Sequence, residues 1–327
     1  MRAWICETLG EEDGLALKDT PAPDCGPGQV RVKNHFAALN FPDALMIRGL
    51  YQFKPDPPFI PGSEFAGVIS AVGEGVDDVN VGQRVLALTG YGALCDEVLV
   101  TRPMQQLHVL PDSMDFEAAA AFNMTYGTAL HGLRQRGNLQ PGETLLVLGA
   151  AGGCGSAAVQ LGKAMGARVI AGCSSEEKCA IASSLGADDV INYKKQDLRD
   201  TVKALTDGSG VDVVFDPVGE PLFSQAVRCL GWNGRMLVIG FAAGEIPSIS
   251  VNYTIMKSIS VIGVAYGASA IRNPAENAKS FELLFEWYQQ GKIKPEISQR
   301  YSLIELPDAM RRLYAGDMVG KAVVDFR

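Results

Sequence analysis

Between Thr144 and Ala171 the chain reads TLLVLGAAGGCGSAAVQLGKAMGARVIA, and its glycines have the spacing of a phosphate-binding turn. The apolar run Leu145–Leu148 meets Gly149, Gly152, Gly153 and Gly155; a small-residue helical pattern covers Ala157–Met165, and a second apolar run follows. Strand, tight turn, helix and strand are therefore expected in that order. Glycine serves such a turn in three ways: the chain reverses sharply, a pyrophosphate comes close to the backbone, and the helix packs tightly on the sheet. Unpaired N–H groups at the helix N-terminus then face the phosphates. The pattern Gly149-x-x-Gly152-x-x-Gly155 is a variant of G-x-G-x-x-G, weak by itself and strong between a strand and a helix. Cys154 lies inside the turn, where a helix N-terminus can lower a thiol pKa. The preferred reading for Cys154 is a small apolar slot facing the sheet.

The next strand bears on which dinucleotide binds. NAD-binding domains of this kind place an acidic side chain about 20 residues beyond the glycines, on the ribose 2′-hydroxyl. Here the strand ends Ala171-Gly-Cys-Ser-Ser175, with no carboxylate. The hydroxyls of Ser174 and Ser175 and the ammonium of Lys178 are expected to take a 2′-phosphate instead, which favours NADPH over NADH. Glu176 and Glu177 lie close by and oppose that reading. The alternative is that Ser174 merely caps the next helix and Lys178 is solvated.

These groups need elements to hold them. Up to about residue 100 the chain shows short strands divided by Gly, Pro and Asp: Ala3–Cys6, Leu15–Lys18, Gln29–Ala38, Glu64–Val72, Arg84–Leu88 and Asp96–Val100. That spacing without helices predicts a compact β unit. Two helices are expected between about 112 and 137, over Phe116–Phe122 and Met124–His131. Beyond the glycine turn, strands alternate with helices: Arg168–Gly172 with Glu176–Leu185, Asp189–Asn192 with Leu198–Thr206, and Val211–Asp216 with Leu222–Leu230. Arg235–Ile239 and Ser258–Val264 complete the series. Such runs imply a doubly wound parallel sheet covered on both faces, so the fold class is α/β. A long amphipathic helix over Pro274–Gln290, a second over Leu306–Ala315 and a last strand over Lys321–Asp325 are expected to return to the β unit.

A chain of 327 residues is long enough for two domains. Its formal charge of -8 and pI near 5.0 disfavour nucleic-acid and anionic-membrane partners. Seven scattered cysteines without a C-x-x-C pair argue against a disulfide framework or a zinc ribbon and suit a reducing compartment. The start, MRAWICETLG, lacks the pattern of a signal peptide, and no segment approaches about 18 uninterrupted apolar residues. A cytoplasmic protein without a membrane partner is expected.

With these motifs in order, the whole chain resembles the medium-chain dehydrogenase/reductase superfamily, and within it the zinc-independent NADPH:quinone oxidoreductase (zeta-crystallin-like) branch. The resemblance rests on Asn40-Phe-Pro-Asp43, Gly49-Leu-Tyr51, Pro61-Gly-Ser-Glu-Phe-Ala-Gly67, Gly149-Ala-Ala-Gly-Gly-Cys-Gly155, Leu185-Gly-Ala-Asp188, Ile191-Asn-Tyr193 and Val211-Asp-Val-Val-Phe-Asp216. It implies a GroES-like catalytic domain over 1–122 and 265–327 and a Rossmann NADPH-binding domain over 123–264. It adds Tyr193 to the ribose pocket, and implies cofactor contacts from Gly240, Phe241, Ala242 and Ala243 and from Val264, Ala265 and Tyr266. Zinc-dependent members carry Gly-His-Glu where this chain has Gly62-Ser63-Glu64, and a Cys near the position of Asn40. Neither Ser63 nor Asn40 suits tetrahedral zinc, and the three histidines, 35, 108 and 131, are dispersed, so no metal is expected.

Hydride acceptors that need no Lewis acid then fit best, a quinone or an alkene conjugated to a carbonyl. Asn40 is expected to orient substrate or nicotinamide, Tyr51 to donate a hydrogen bond to the carbonyl or enolate oxygen, and Thr125 to hold the nicotinamide carboxamide. Turn chemistry before Phe-Pro is the competing role for Asn40, and a half-buried aromatic that for Tyr51. An enoyl-CoA or 2-alkenal reductase is the neighbouring alternative, and a non-catalytic NADPH-binding structural or redox-sensing protein the distant one. The sticky edge strand expected at Ser258–Val264, together with the resemblance, points to a homodimer.

Overall fold

The computed structural model describes all residues from Met1 to Arg327. The chain forms two compact units, one of residues 1–124, 270–275 and 295–327, the other of residues 125–269 and 276–294.

The first unit is built on the long strand Gln29–Ala38, which pairs antiparallel with Glu64–Val72, Glu97–Thr101 and the final strand Lys321–Asp325. Alternation along the first part of Gln29–Ala38 buries Val30 and Val32 in the core, as a strand with one covered face requires. Pairing Val323 with Ala38 carries Lys321, two residues away, to the level of Asn40. Pairing Ala38 with Glu64 brings Glu64 to the other side of the same strand end. One short helix, Phe41–Ile47, follows directly; it has Pro42 in its first turn, where no N–H is needed. Arg48 just past its end forms a bidentate pair with the buried Glu12, at 2.8 and 2.9 Å, and lies 3.9 Å over the Tyr314 ring.

The second unit holds a six-stranded parallel sheet, its strands in the spatial order Asp189–Asn192, Arg168–Cys173, Thr144–Leu148, Val211–Asp216, Leu230–Val238 and Ser260–Gly263. The order reverses between Thr144–Leu148 and Val211–Asp216, and ligands of doubly wound sheets bind beyond the carboxyl ends at such a point.

Several expectations shift. Residues 276–294 belong with the parallel sheet, whereas the sequence reading assigned 265–327 to the catalytic domain. The physical tie is Gln160, whose side chain pairs both ways with the Lys294 backbone at 2.9 and 2.7 Å, and Gln135, which reaches Ser280 at 3.1 Å. The second of the two helices expected before the glycine turn runs on to Arg136 through two wide turns, Asn123–Gly127 and His131–Arg136. Gly137 N–H there bonds Gly132 C=O five residues back, at 2.7 Å. The strands Gln106–Val109 and Ile297–Ser302 and the helices Asn252–Met256 and Tyr266–Arg272 were not foreseen. Ile297–Ser302 is a polar edge strand that pairs only with Lys321–Asp325, and it lacks the apolar alternation that marks a covered face.

Candidate active site

In the second unit the glycine turn has the expected form: strand Thr144–Leu148 gives way to Gly149 at φ +58, and the helix Gly153–Ala164 starts from Gly152 as its N-cap. Gly152 has no side chain to accept from the helix's first N–H groups, which suits an incoming anion. A Cβ on Gly155 would lie 2.1 Å from the Gly149 carbonyl oxygen, so only glycine lets this helix seat on its own turn. A Cβ on Gly152 would meet only that oxygen, at 3.3 Å, and Gly152 and Gly153 are half-buried and open toward solvent. Cys154 departs from expectation. It does not fill a buried apolar slot but is half-buried, because it sits in the first helical turn beside the two open glycines.

The strand Arg168–Cys173 leads to the residues expected on the ribose side. Ser175, and not Ser174, caps the next helix, its hydroxyl accepting from Lys178 N–H at 3.2 Å. Ser174 instead hydrogen-bonds the Tyr193 phenol, whose pKa is raised mainly by burial. Glu176, one of the two acids that weigh against NADPH, accepts from Asn192 Nδ2 at 2.8 Å and pairs with Lys195 at 3.1 Å. The Asn192 hydrogen bond, followed by Lys195, lowers its pKa, so its charge is matched by Asn192 and Lys195.

The loops after the fourth and fifth strands of the sheet lie together. Ala242 and Ala243 N–H groups donate to Pro217 and Val218 C=O at 3.0 and 2.9 Å, and Val218 in turn would contact a Cβ on Gly149 at 3.0 Å. Gly240, Phe241, Ala242 and Ala243 are therefore gathered near the glycine turn. Val264 and Ala265 follow the edge strand, while the Tyr266 ring is buried and packed on Gly127, where a Cβ would come within 2.3 Å of it. Thr125 is buried at the start of this unit. Sequence reasoning passed over Asp216 at the end of the central strand. Its carboxylate accepts from Val218 and Gly219 N–H at 2.8 and 3.0 Å, and burial pushes its pKa up to about 6. The signal available was its place at the carboxyl end of a switch-point strand.

The first unit assembles a different site around Asn40. This residue is the extended N-cap of Phe41–Ile47, and its N–H donates to Asp43 Oδ2 at 2.9 Å. Its carboxamide Nδ2 donates to Glu64 Oε1 at 3.0 Å and to Ser63 Oγ at 3.3 Å, and its Oδ1 accepts from Lys321 Nζ at 2.6 Å. Lys321 Nζ also donates to Glu64 Oε1 at 2.7 Å and to Leu39 C=O at 2.9 Å. Glu64 Oε2 accepts from Met124 N–H at 2.9 Å. Asn40, Asp43, Ser63, Glu64 and Lys321 are all buried, each 5% exposed or less. An ammonium and a carboxylate this deep are tolerated because each spends its hydrogen bonds on fixed partners. Tyr51, half-buried beyond the helix, has a phenol pKa raised by burial and then by the charge of Asp43. Sequence reasoning found Asn40 and Tyr51 and missed Asp43, Glu64 and Lys321 as members of one cluster.

Zinc does not suit this donor set. No three His, Cys, Asp or Glu side chains converge, and of the two carboxyls beside Asn40, that of Glu64 already holds the Lys321 ammonium.

Residues 26–112 match the alcohol dehydrogenase GroES-like domain and residues 153–284 the zinc-binding dehydrogenase domain. The chain is 38% identical to the quinone oxidoreductase-like protein 2 homolog of Nematostella vectensis, over 99% of this chain and 88% of that protein. It is 35% identical to the quinone oxidoreductase of Pseudomonas aeruginosa, over 96% of each. The solved structure of Escherichia coli quinone oxidoreductase complexed with NADPH superposes with a TM-score of 0.92 at 28% identity, covering 99% of this chain and 100% of that one.

Proposed function

Because the chain belongs to the quinone oxidoreductase branch of the medium-chain dehydrogenase/reductase superfamily, we propose that it passes hydride from NADPH to a quinone or an α,β-unsaturated carbonyl without a metal. The observation that carries the metal-free part is Lys321: its buried ammonium binds Glu64 and Asn40, leaving those donors to no other cation. The residues for NADPH are the glycine turn Gly149 to Gly155 for the pyrophosphate and Ser174, Lys178 and Tyr193 for the 2′-phosphate. When bound, NADPH supplies the hydride.

The chain's own residues orient and protonate. Asn40, its carboxamide fixed from both ends, is a rigid wall for the site, and Tyr51 donates its phenol proton to the oxygen that gains negative charge. We assign the first unit to catalysis and the second to cofactor binding. The parallel sheet ends on Ser260–Gly263, whose outer edge has no strand in this chain to pair with, and Val261 on it is exposed. A second copy covering that edge gives a homodimer; Val261→Asp is expected to yield monomers in sedimentation, and a wild-type monomer contradicts the pairing. None of the seven cysteines forms a disulfide, which favours the cytoplasm. No helix is long and apolar enough to cross a membrane.

NADPH oxidation across quinones, 2-alkenals and enoyl-CoAs tests this reading. Turnover with quinones or enones is expected; turnover confined to enoyl-CoAs or alkenals selects the neighbouring activity. Tight NADPH binding with no transfer to any acceptor makes the protein a non-catalytic binder. Tyr51→Phe is expected to lower kcat on enones more than on quinones, whose reduced anions water protonates readily; equal or absent effects remove Tyr51 from the mechanism.

A further inference from the structure

The turn that leads from the Asn40 helix to Tyr51 is held by its backbone. Phe41–Ile47 ends at Arg48, still in the helical region, and Gly49 follows at φ +67, a conformation that glycine takes without strain. Gly49 N–H donates to Met46 C=O at 3.0 Å and Leu50 N–H to Leu45 C=O at 2.8 Å, the two bonds of a Schellman cap. Ile47 C=O accepts from Gly10 N–H at 3.0 Å, which ties the helix end to the segment running into the turn Glu12–Gly14. Tyr51 leaves directly from this cap.

The Arg48 side chain anchors the cap to both ends of the chain. Its Nη2 donates to the two carboxylate oxygens of Glu12 at 2.8 and 2.9 Å. Its guanidinium carbon lies 3.9 Å over the ring of Tyr314, the last residue of the helix Leu306–Tyr314. The Glu12 side chain is 2% exposed and that of Arg48 17%, so solvent screens their attraction little. Phe41 lies about two helical turns before Arg48, hence on the same helix face, and its ring stacks on the same Tyr314 ring at 6.1 Å, 7° from parallel. One ring of the C-terminal helix therefore meets both ends of Phe41–Ile47, the end that begins at Asn40 and the end that delivers Tyr51. A helix of 7 residues has too few internal bonds to fix its own direction, so that direction comes from what it is clamped to.

We propose that Arg48 is a positioning residue for the reaction: held by Glu12 and Tyr314, it sets where the Tyr51 phenol stands when the acceptor oxygen takes its proton. The inference rests on the hydride-transfer reading above. Arg48 acts through Tyr51, and a misplacement of about 1 Å in a reacting group costs as much as roughly 10²-fold in rate.

The experiment is a double-mutant cycle on kcat with an enone, with thermal melting and NADPH binding measured alongside. Arg48→Lys keeps the charge opposite Glu12 and loses the flat group that covers the Tyr314 ring. Arg48→Met joined to Glu12→Gln leaves no buried charge unmatched. Each is made with Tyr51 and with Tyr51→Phe. With Tyr51 present, Arg48→Met with Glu12→Gln is expected to lose roughly 10²-fold in kcat and Arg48→Lys roughly tenfold, enones suffering more than quinones, with NADPH affinity within about twofold of wild type. With Tyr51→Phe in place, the further loss is expected to stay below about twofold, because no phenol proton is left to misplace. Equal losses in both backgrounds overturn the proposal, as do Arg48 variants as fast as wild type. Should Arg48→Met with Glu12→Gln melt at assay temperature, the Arg48→Lys pair decides alone. Tyr51→Phe as fast as wild type removes the donor and Arg48 with it. Wild type inactive on every acceptor overturns the hydride-transfer reading, whereas equal losses in an active enzyme overturn only the role of Arg48.

Discussion

The glycine turn and the Asn40 cluster are two kinds of site in one chain. The turn is made by leaving side chains out: Gly149, Gly152 and Gly155 clear the backbone, and the helix end supplies the donors. The cluster is made by bringing side chains in, with Asn40, Ser63–Glu64 and Lys321 drawn from three strands and two ends of the chain. One is local and backbone-built; the other is long-range and held by buried charge. The contrast teaches where each is vulnerable, the turn to added volume and the cluster to lost charge.

The largest effect should come from the cluster. Lys321→Met leaves Glu64 buried without its cation, and a loss of about 3–5 kcal/mol in urea unfolding is expected, most of it recovered in the double variant with Glu64→Gln. If the single variant is as stable as wild type, the ion pair does not hold the site. Next comes the turn. Gly155→Ala forces a Cβ toward the Gly149 carbonyl, with an expected loss of roughly 1–3 kcal/mol and of NADPH binding, whereas Gly152→Ala should fold normally and weaken NADPH alone. Similar melting temperatures for both variants would erase the distinction between a packing glycine and a ligand glycine. The smallest expected effect is Lys178→Ala, which should raise the KM for NADPH roughly tenfold and leave that for NADH unchanged. Equal changes for the two cofactors contradict the assignment of the 2′-phosphate site.

The same contrast explains what the sequence disclosed. The strand–turn–helix over Thr144–Ala164 was legible because its signal is local: apolar run, glycines, small-residue helix. Most strands of the β unit were legible for the same reason, while Ile297–Ser302, polar on an edge, was not. The helix starts at Glu176 as expected, and the cap is the residue directly before it, Ser175, rather than the Ser174 of the alternative reading. Lys321 looked like an ordinary residue at the head of a final strand. Only the pairing of Val323 with Ala38 reveals that it reaches Asn40, and no local pattern encodes that register. Asp43 stood in the motif Asn40-Phe-Pro-Asp43 with no role of its own, and only the structure shows its carboxyl accepting the Asn40 N–H.

The central claim is that an internal ammonium takes up the donors a metal would need, and that hydride chemistry proceeds without one. It is tested most directly by NADPH oxidation with a quinone acceptor, measured on protein exhaustively treated with a strong chelator, together with the zinc content of the same sample. Unchanged turnover with far less than one zinc per chain is the predicted result. One tightly held zinc per chain, with turnover lost on its removal and restored on its return, would contradict the account.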